Sequence, residues 1–127
     1  MDFADLQALM LAQRADGTLA RQAQQEALRY LAGQSGQAAF PSTDAVSGLL
    51  AFDHPLPEGI SDASVLVSQL AQFGAPATTA IGGGRYFGFV NGGLLPVALA
   101  ARWMADAWDQ NAALGVMSPL AARLEEI

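Results

Sequence analysis

Few side chains in this sequence have the types and spacing that chemistry needs. His54, the one histidine, sits between Asp53 and Pro55. It can act as an acid or base near neutral pH, but no serine, cysteine or second histidine is spaced near it to form a relay, so a surface or hydrogen-bonded role is the plainer reading. Asp106 and Asp109 can be read as paired carboxylates, or as solvated and capping acids near a helix end. Gly82-Gly83-Gly84 lets backbone amides approach an anion. It lacks the lysine and hydroxyl of a nucleotide-binding loop, which favours a plain flexible loop. Trp103 and Trp108 can line a pocket, although aromatic residues at helical spacing more often pack in a core or an interface.

What is missing narrows the chemistry further. All six basic residues are arginines (Arg14, Arg21, Arg29, Arg85, Arg102 and Arg123), and the chain has no lysine. Set against twelve carboxylates they leave a net charge of −6, which argues against nucleic acid as a partner. A single histidine and no cysteine leave little for a metal site. The acidic start, Met1-Asp2-Phe3-Ala4-Asp5, is unlike a secretory signal, and the longest apolar run, Leu94 to Ala101, is far short of a membrane span. A soluble, cytoplasmic protein with no membrane partner is expected. At 52% hydrophobic and 14% charged residues the composition is apolar for such a protein, so part of the apolar surface is expected to serve a partner.

The elements that must position these residues read as mainly helical. Phe3, Leu6, Leu9, Met10 and Ala12 mark a helix over 3–14. After the Asp16-Gly17 turn a second helix runs from Thr18 to Leu31, with Leu19, Ala23, Ala27, Tyr30 and Leu31 as its buried stripe. The two are expected to form a helical hairpin. Thr43 caps a short helix reaching Phe52, which Pro55 and Pro57 end. Ser61 caps another that carries Val65, Leu66, Leu70 and Phe73 and stops at Gly74. A loop over 75–84 leads to a short extended segment, Tyr86 to Val90, closed by Asn91-Gly92-Gly93. A strong helix follows from Leu94 to about Trp108, with Pro96 in its first turn, apolar on most faces and so expected to be buried on more than one side. Ser118 and Pro119 start a last helix that reaches Ile127 with no stop signal, as if cut inside an element.

The run Arg85-Tyr86-Phe87-Gly88-Phe89-Val90-Asn91-Gly92-Gly93, followed by Pro96, Ala100 to Trp103, Trp108-Asp109-Gln110-Asn111, Ser118-Pro119 and Leu124-Glu125, resembles the group II pyridoxal-phosphate-dependent amino-acid decarboxylases, the glutamate and aromatic amino-acid group. The resemblance is specific from about Gly83 to Ile127 and loose before it. It implies the amino-terminal helical segment of a fold-type I enzyme: residues 1–84 a dimerisation segment packed on the other subunit, residues 85–127 a substrate-site segment and the start of the large cofactor domain. It places Phe89, Asn91 and Ala113 at substrate-binding positions. Glutamate decarboxylases carry an amide where Phe89 stands and an aromatic where Ala113 stands, so a wider, more apolar pocket is implied.

Such an enzyme holds pyridoxal phosphate on a lysine, and this chain has none. It is therefore expected to be catalytically inactive alone and to bind no cofactor covalently. Its implied partners are an amino-acid substrate in the complete enzyme and a second subunit or the remainder of the same chain. Two other readings stand beside this one: a non-catalytic helical interaction module derived from such an enzyme, and part of a pyridoxal-phosphate-dependent carbon–carbon lyase.

Overall fold

A computed structural model describes residues 2–91 and 93–127. The chain forms two compact units, one reaching Asn91 and the other running from there to Ile127. The first holds α1 (Phe3–Asp16), α2 (Thr18–Gly33), α3 (Thr43–Ser47) and α4 (Ala63–Gln69); the second holds α5 (Pro96–Trp108) and α6 (Pro119–Glu125). No strand occurs among the described residues, and none of their helices is long and apolar enough to cross a membrane. The mainly helical reading holds.

Local polar groups set the helix starts. The Asp2 carboxylate accepts from the Asp5 amide while Asp5 accepts from the Asp2 amide, a reciprocal cap that opens α1. Ser42, one residue before the expected Thr43, caps α3 through the Ala45 amide. Asp62, one residue after the expected Ser61, caps α4 through the Ser64 amide. Pro96 and Pro119 occupy first turns, where a missing N–H costs nothing. α4 runs on through a π turn over Leu70–Gly74, in which the Ala75 amide reaches back to the Leu70 carbonyl, and Pro76 then prevents further α-helix.

The expected α1–α2 hairpin does not form. Only Gly17 separates the two helices, in the left-handed conformation at φ 64°, and one residue is too short a loop to reverse the chain. The corner is tied instead: the Thr18 amide donates to the Asp16 carboxylate, and the Arg21 guanidinium donates to the Asp16 carbonyl and the Thr18 hydroxyl. α1 therefore leaves the corner without packing along α2, and Phe3 and Met10 stay 81% and 61% exposed.

α2 packs on α4, where the Gln22 amide donates to the Ser64 carbonyl at 3.0 Å and the Ser68 hydroxyl at 2.9 Å. A 3₁₀ turn over Gly48–Phe52 then meets the π turn through an edge-on Phe52–Phe73 pair, with centroids 6.5 Å apart. The buried stripe expected on α2 is only half covered, since Leu19, Ala27, Tyr30 and Leu31 are half-buried and Ala23 is exposed. On α5 only Leu99 and Trp103 are half-buried, so the burial expected on several sides is absent within its unit. Among the described residues the fully buried ones are Ala80 and Ser118, each 1% exposed.

The extended segment expected over Tyr86 to Val90 is a turn. Phe89 and Val90 lie in the left-handed region at φ 52° and 56°, a conformation no strand contains. A strand needs a neighbour to take its amides and carbonyls, and no such neighbour exists among the described residues. Gly92, part of the expected close of this segment, lies outside the described residues.

Candidate functional site

A concavity is built within the first unit. It is an open groove of about 740 Å³. One wall is α2, presenting Ala23, Ala27 and Tyr30; the facing wall is α4 and its π turn, presenting Val67 and Ala71; Phe40 and Pro41 close one side. Alanines one turn apart on facing walls, Ala23 with Ala27 and Ala71 with Ala75, keep the helices close yet leave room for bulky apolar groups between them. Tyr30, Thr78, Glu26 and Arg29 are among its polar lining residues. Thr78 donates its hydroxyl to the Ala75 carbonyl at 2.8 Å, so the Tyr30 hydroxyl, 2.8 Å from Thr78 Oγ1, is the donor in that pair. Glu26 and Arg29 form an ion pair among the lining residues.

Nothing in this groove is poised for bond making. Its two charged side chains neutralise one another, and no buried side-chain nitrogen or oxygen among the described residues lacks a partner. The arrangement suits docking of an apolar surface. The groove went unseen in the sequence because its walls are about fifty residues apart; the paired alanines were the available signal.

Of the expected substrate-binding positions, Phe89 and Asn91 share the turn at the end of the first unit. Phe89 is 90% exposed. Asn91 is also exposed and donates its side-chain amide to the Tyr86 hydroxyl at 3.4 Å. Tyr86 in turn packs edge-on against Phe40, with centroids 5.9 Å apart, and the Arg85 guanidinium reaches the Gly36 and Gln37 carbonyls at 3.4 Å. These ties hold residues 85–91 to the first unit, so the compact unit extends past the functional boundary expected at 84/85. Ala113 lies in the second unit, exposed, with its amide donating to the Asn111 side chain at 2.9 Å in an Asx turn.

His54 and the two aspartates have only local partners. His54 Nδ1 lies 3.1 Å from the Pro55 carbonyl, and the ring is exposed. Asp106 pairs with Arg102 across one turn at 3.7 Å, and Asp109 ends α5 at φ 50°. No grouping of three or more acids or histidines able to hold a metal occurs among the described residues. In the glycine triplet a Cβ on Gly82 would stand 2.8 Å from the end of the Gln34 side chain, while Gly84 faces open space. The residues present do not fit pyridoxal phosphate as a covalently held group, because there is no lysine to form its aldimine.

Compared with protein-family models, curated proteins and solved structures, the chain matches none.

Proposed function

We propose that this chain is the amino-terminal part of a pyridoxal-phosphate-dependent amino-acid decarboxylase, supplying subunit contacts and substrate-pocket residues but no cofactor lysine. The observation that carries the reading is the run from Arg85 to Asn111, whose residue order resembles that group. An apolar docking groove and unburied apolar helices are consistent with a segment that works only when covered. In this reading Phe89, already directed outward on a turn, presents an aromatic face to the substrate side chain, while Asn91 offers an amide hydrogen bond. No chemical step is assigned to any group in the chain.

The test is expression of the complete open reading frame that encodes this chain, followed by measurement of carbon dioxide release from a panel of amino acids with pyridoxal phosphate added. Release from at least one of them is expected, with Phe89→Ala and Asn91→Ala raising KM. A reading frame that encodes no lysine, or a complete protein that releases nothing, overturns the reading.

The apolar groove favours a second reading, a non-catalytic helical interaction module. It is distinguished by the same experiment, because it requires no carbon dioxide release and retains self-association.

A further inference from the structure

We infer that Asn91 is a self-modification site: its side-chain amide is converted to a carboxylate by attack of the Gly92 backbone nitrogen, with loss of ammonia. Covalent structure sets the chemistry. The Gly92 nitrogen gives its proton to water and bonds to Cγ of Asn91, closing a five-membered ring with the advantage of an intramolecular reaction. The Cγ–Nδ2 bond breaks, and ammonia leaves with a proton from solvent. Water then adds to either ring carbonyl and breaks its bond to the ring nitrogen, so the products are aspartate and isoaspartate. No oxidant and no second protein are needed. Glycine at the following position has no Cβ to crowd the ring.

The fold leaves this reaction open. Asn91 is exposed and outside any helix, at the end of the first unit, and Phe89 and Val90 before it are 90% and 103% exposed on the left-handed turn. Exposed tips of this kind are where backbone adjusts at least cost. Among the described residues its side chain has one hydrogen bond, from Nδ2 to the Tyr86 hydroxyl at 3.4 Å, so the leaving nitrogen is weakly held. The chain supplies its own controls. Asn111, the other asparagine, is followed by Ala112, and its Oδ1 accepts from the Ala113 amide at 2.9 Å, which fixes the side chain in an Asx turn. Asp16 precedes Gly17 in the same way, but the amide and hydroxyl of Thr18 hold its carboxyl below the usual carboxylate range, and an ionised carboxylate resists a nucleophile. The outcome at Asn91 is local. A donor to the Tyr86 hydroxyl becomes an acceptor, one negative charge is added to a chain already at −6, and the isoaspartate form lengthens the backbone by a methylene where the first unit ends. The modification does not depend on the enzyme reading; one consequence rests on it, that an amide at an implied substrate position becomes a carboxylate and repels acidic side chains.

Because every basic residue is arginine, trypsin separates the two asparagines: Asn91 falls in the peptide 86–102 and Asn111 in the peptide 103–123. The whole chain is held in warm, mildly alkaline buffer, digested beside an unincubated sample, and its peptides are measured by mass spectrometry. Peptide 86–102 should gain the mass of an amide exchanged for an acid at least about tenfold faster than peptide 103–123, the ratio that a barrier lower by about 1.4 kcal/mol gives. It should separate chromatographically into aspartate and isoaspartate forms, and an isoaspartate methyltransferase should label the second. Gly92→Ala should slow the gain by about tenfold, and the folded chain should react as fast as a synthetic peptide of residues 86–102, since the fold does not shield the site. Equal rates for the two tryptic peptides, a Gly92→Ala chain as fast as the wild type, or a folded chain protected relative to the synthetic peptide would each overturn the proposal. The readout is mass, so its failure is distinct from an absence of carbon dioxide release.

Discussion

Replacing Gln22 by alanine tests the packing of the first unit at its most specific point. Gln22 donates two hydrogen bonds from α2 to α4, at 3.0 and 2.9 Å, and they join positions 42 and 46 residues apart. A net contribution of about 1 kcal/mol per hydrogen bond sets an upper loss of about 2 kcal/mol. The loss should fall short of that, because the Ser64 carbonyl keeps the Ser68 hydroxyl at 2.9 Å and is not left unpaired. We expect Gln22→Ala to destabilise the chain by about 1–1.5 kcal/mol, read as a lower urea midpoint at unchanged slope. Gln24→Ala, on an exposed position of the same helix, should change stability by less than about 0.5 kcal/mol. Ser68→Ala should remove part of the Gln22 effect, giving a double-mutant coupling of about 0.5–1 kcal/mol. Equal losses for Gln22→Ala and Gln24→Ala, or zero coupling with Ser68→Ala, would refute the α2–α4 contact.

Val90→Gly should raise stability by about 1 kcal/mol, because a β-branched residue in the left-handed region carries a steric cost that glycine does not; an unchanged thermal midpoint would argue against this turn. Ser118→Ala should cost about 1 kcal/mol, since Ser118 caps α6 through the Ala121 amide at 3.3 Å and is fully buried, whereas Ser118→Gly should cost only a few tenths. The amide and hydroxyl of Thr18, with the Arg21 charge behind them, hold the Asp16 carboxyl below the 3.8 of an unperturbed aspartate. That stabilisation is present above pH 3.8 and is lost as pH falls through the lower folded value, so a carbonyl-carbon titration of Asp16 by NMR should have its midpoint below 3.8, and a midpoint at or above it would contradict the corner geometry.

Features governed by neighbours in sequence were legible from the sequence. The α1 and α2 limits and the Pro96 and Ser118-Pro119 starts each depend on caps and turn residues within a few positions, whereas the expected stop at Gly74 is overrun by helical turns that continue to Ala77. Cap assignments slipped by one residue at Ser42 and Asp62 because adjacent hydroxyls and carboxylates compete for the same amide. Features that depend on distant partners were not legible. Tyr86 to Val90 has the aromatic content of a strand, but whether it pairs is decided by chain far away, and without a partner it curls into a turn. The α1–α2 hairpin failed on the length of its connection, which only the helix ends define. Phe89 and Asn91 do share one turn, yet nothing local in the sequence marks the left-handed backbone that turns Phe89 outward, and the Tyr30–Thr78 pair spans 48 residues.

We propose that these 127 residues form part of an amino-acid decarboxylase and shape its substrate site. It is tested most directly by carbon dioxide release from the complete translated reading frame and its Phe89→Ala variant, measured across amino acids of increasing side-chain size with pyridoxal phosphate present. Release, with Phe89→Ala changing the ranking among substrates, is the predicted result; no release from any amino acid would contradict the claim.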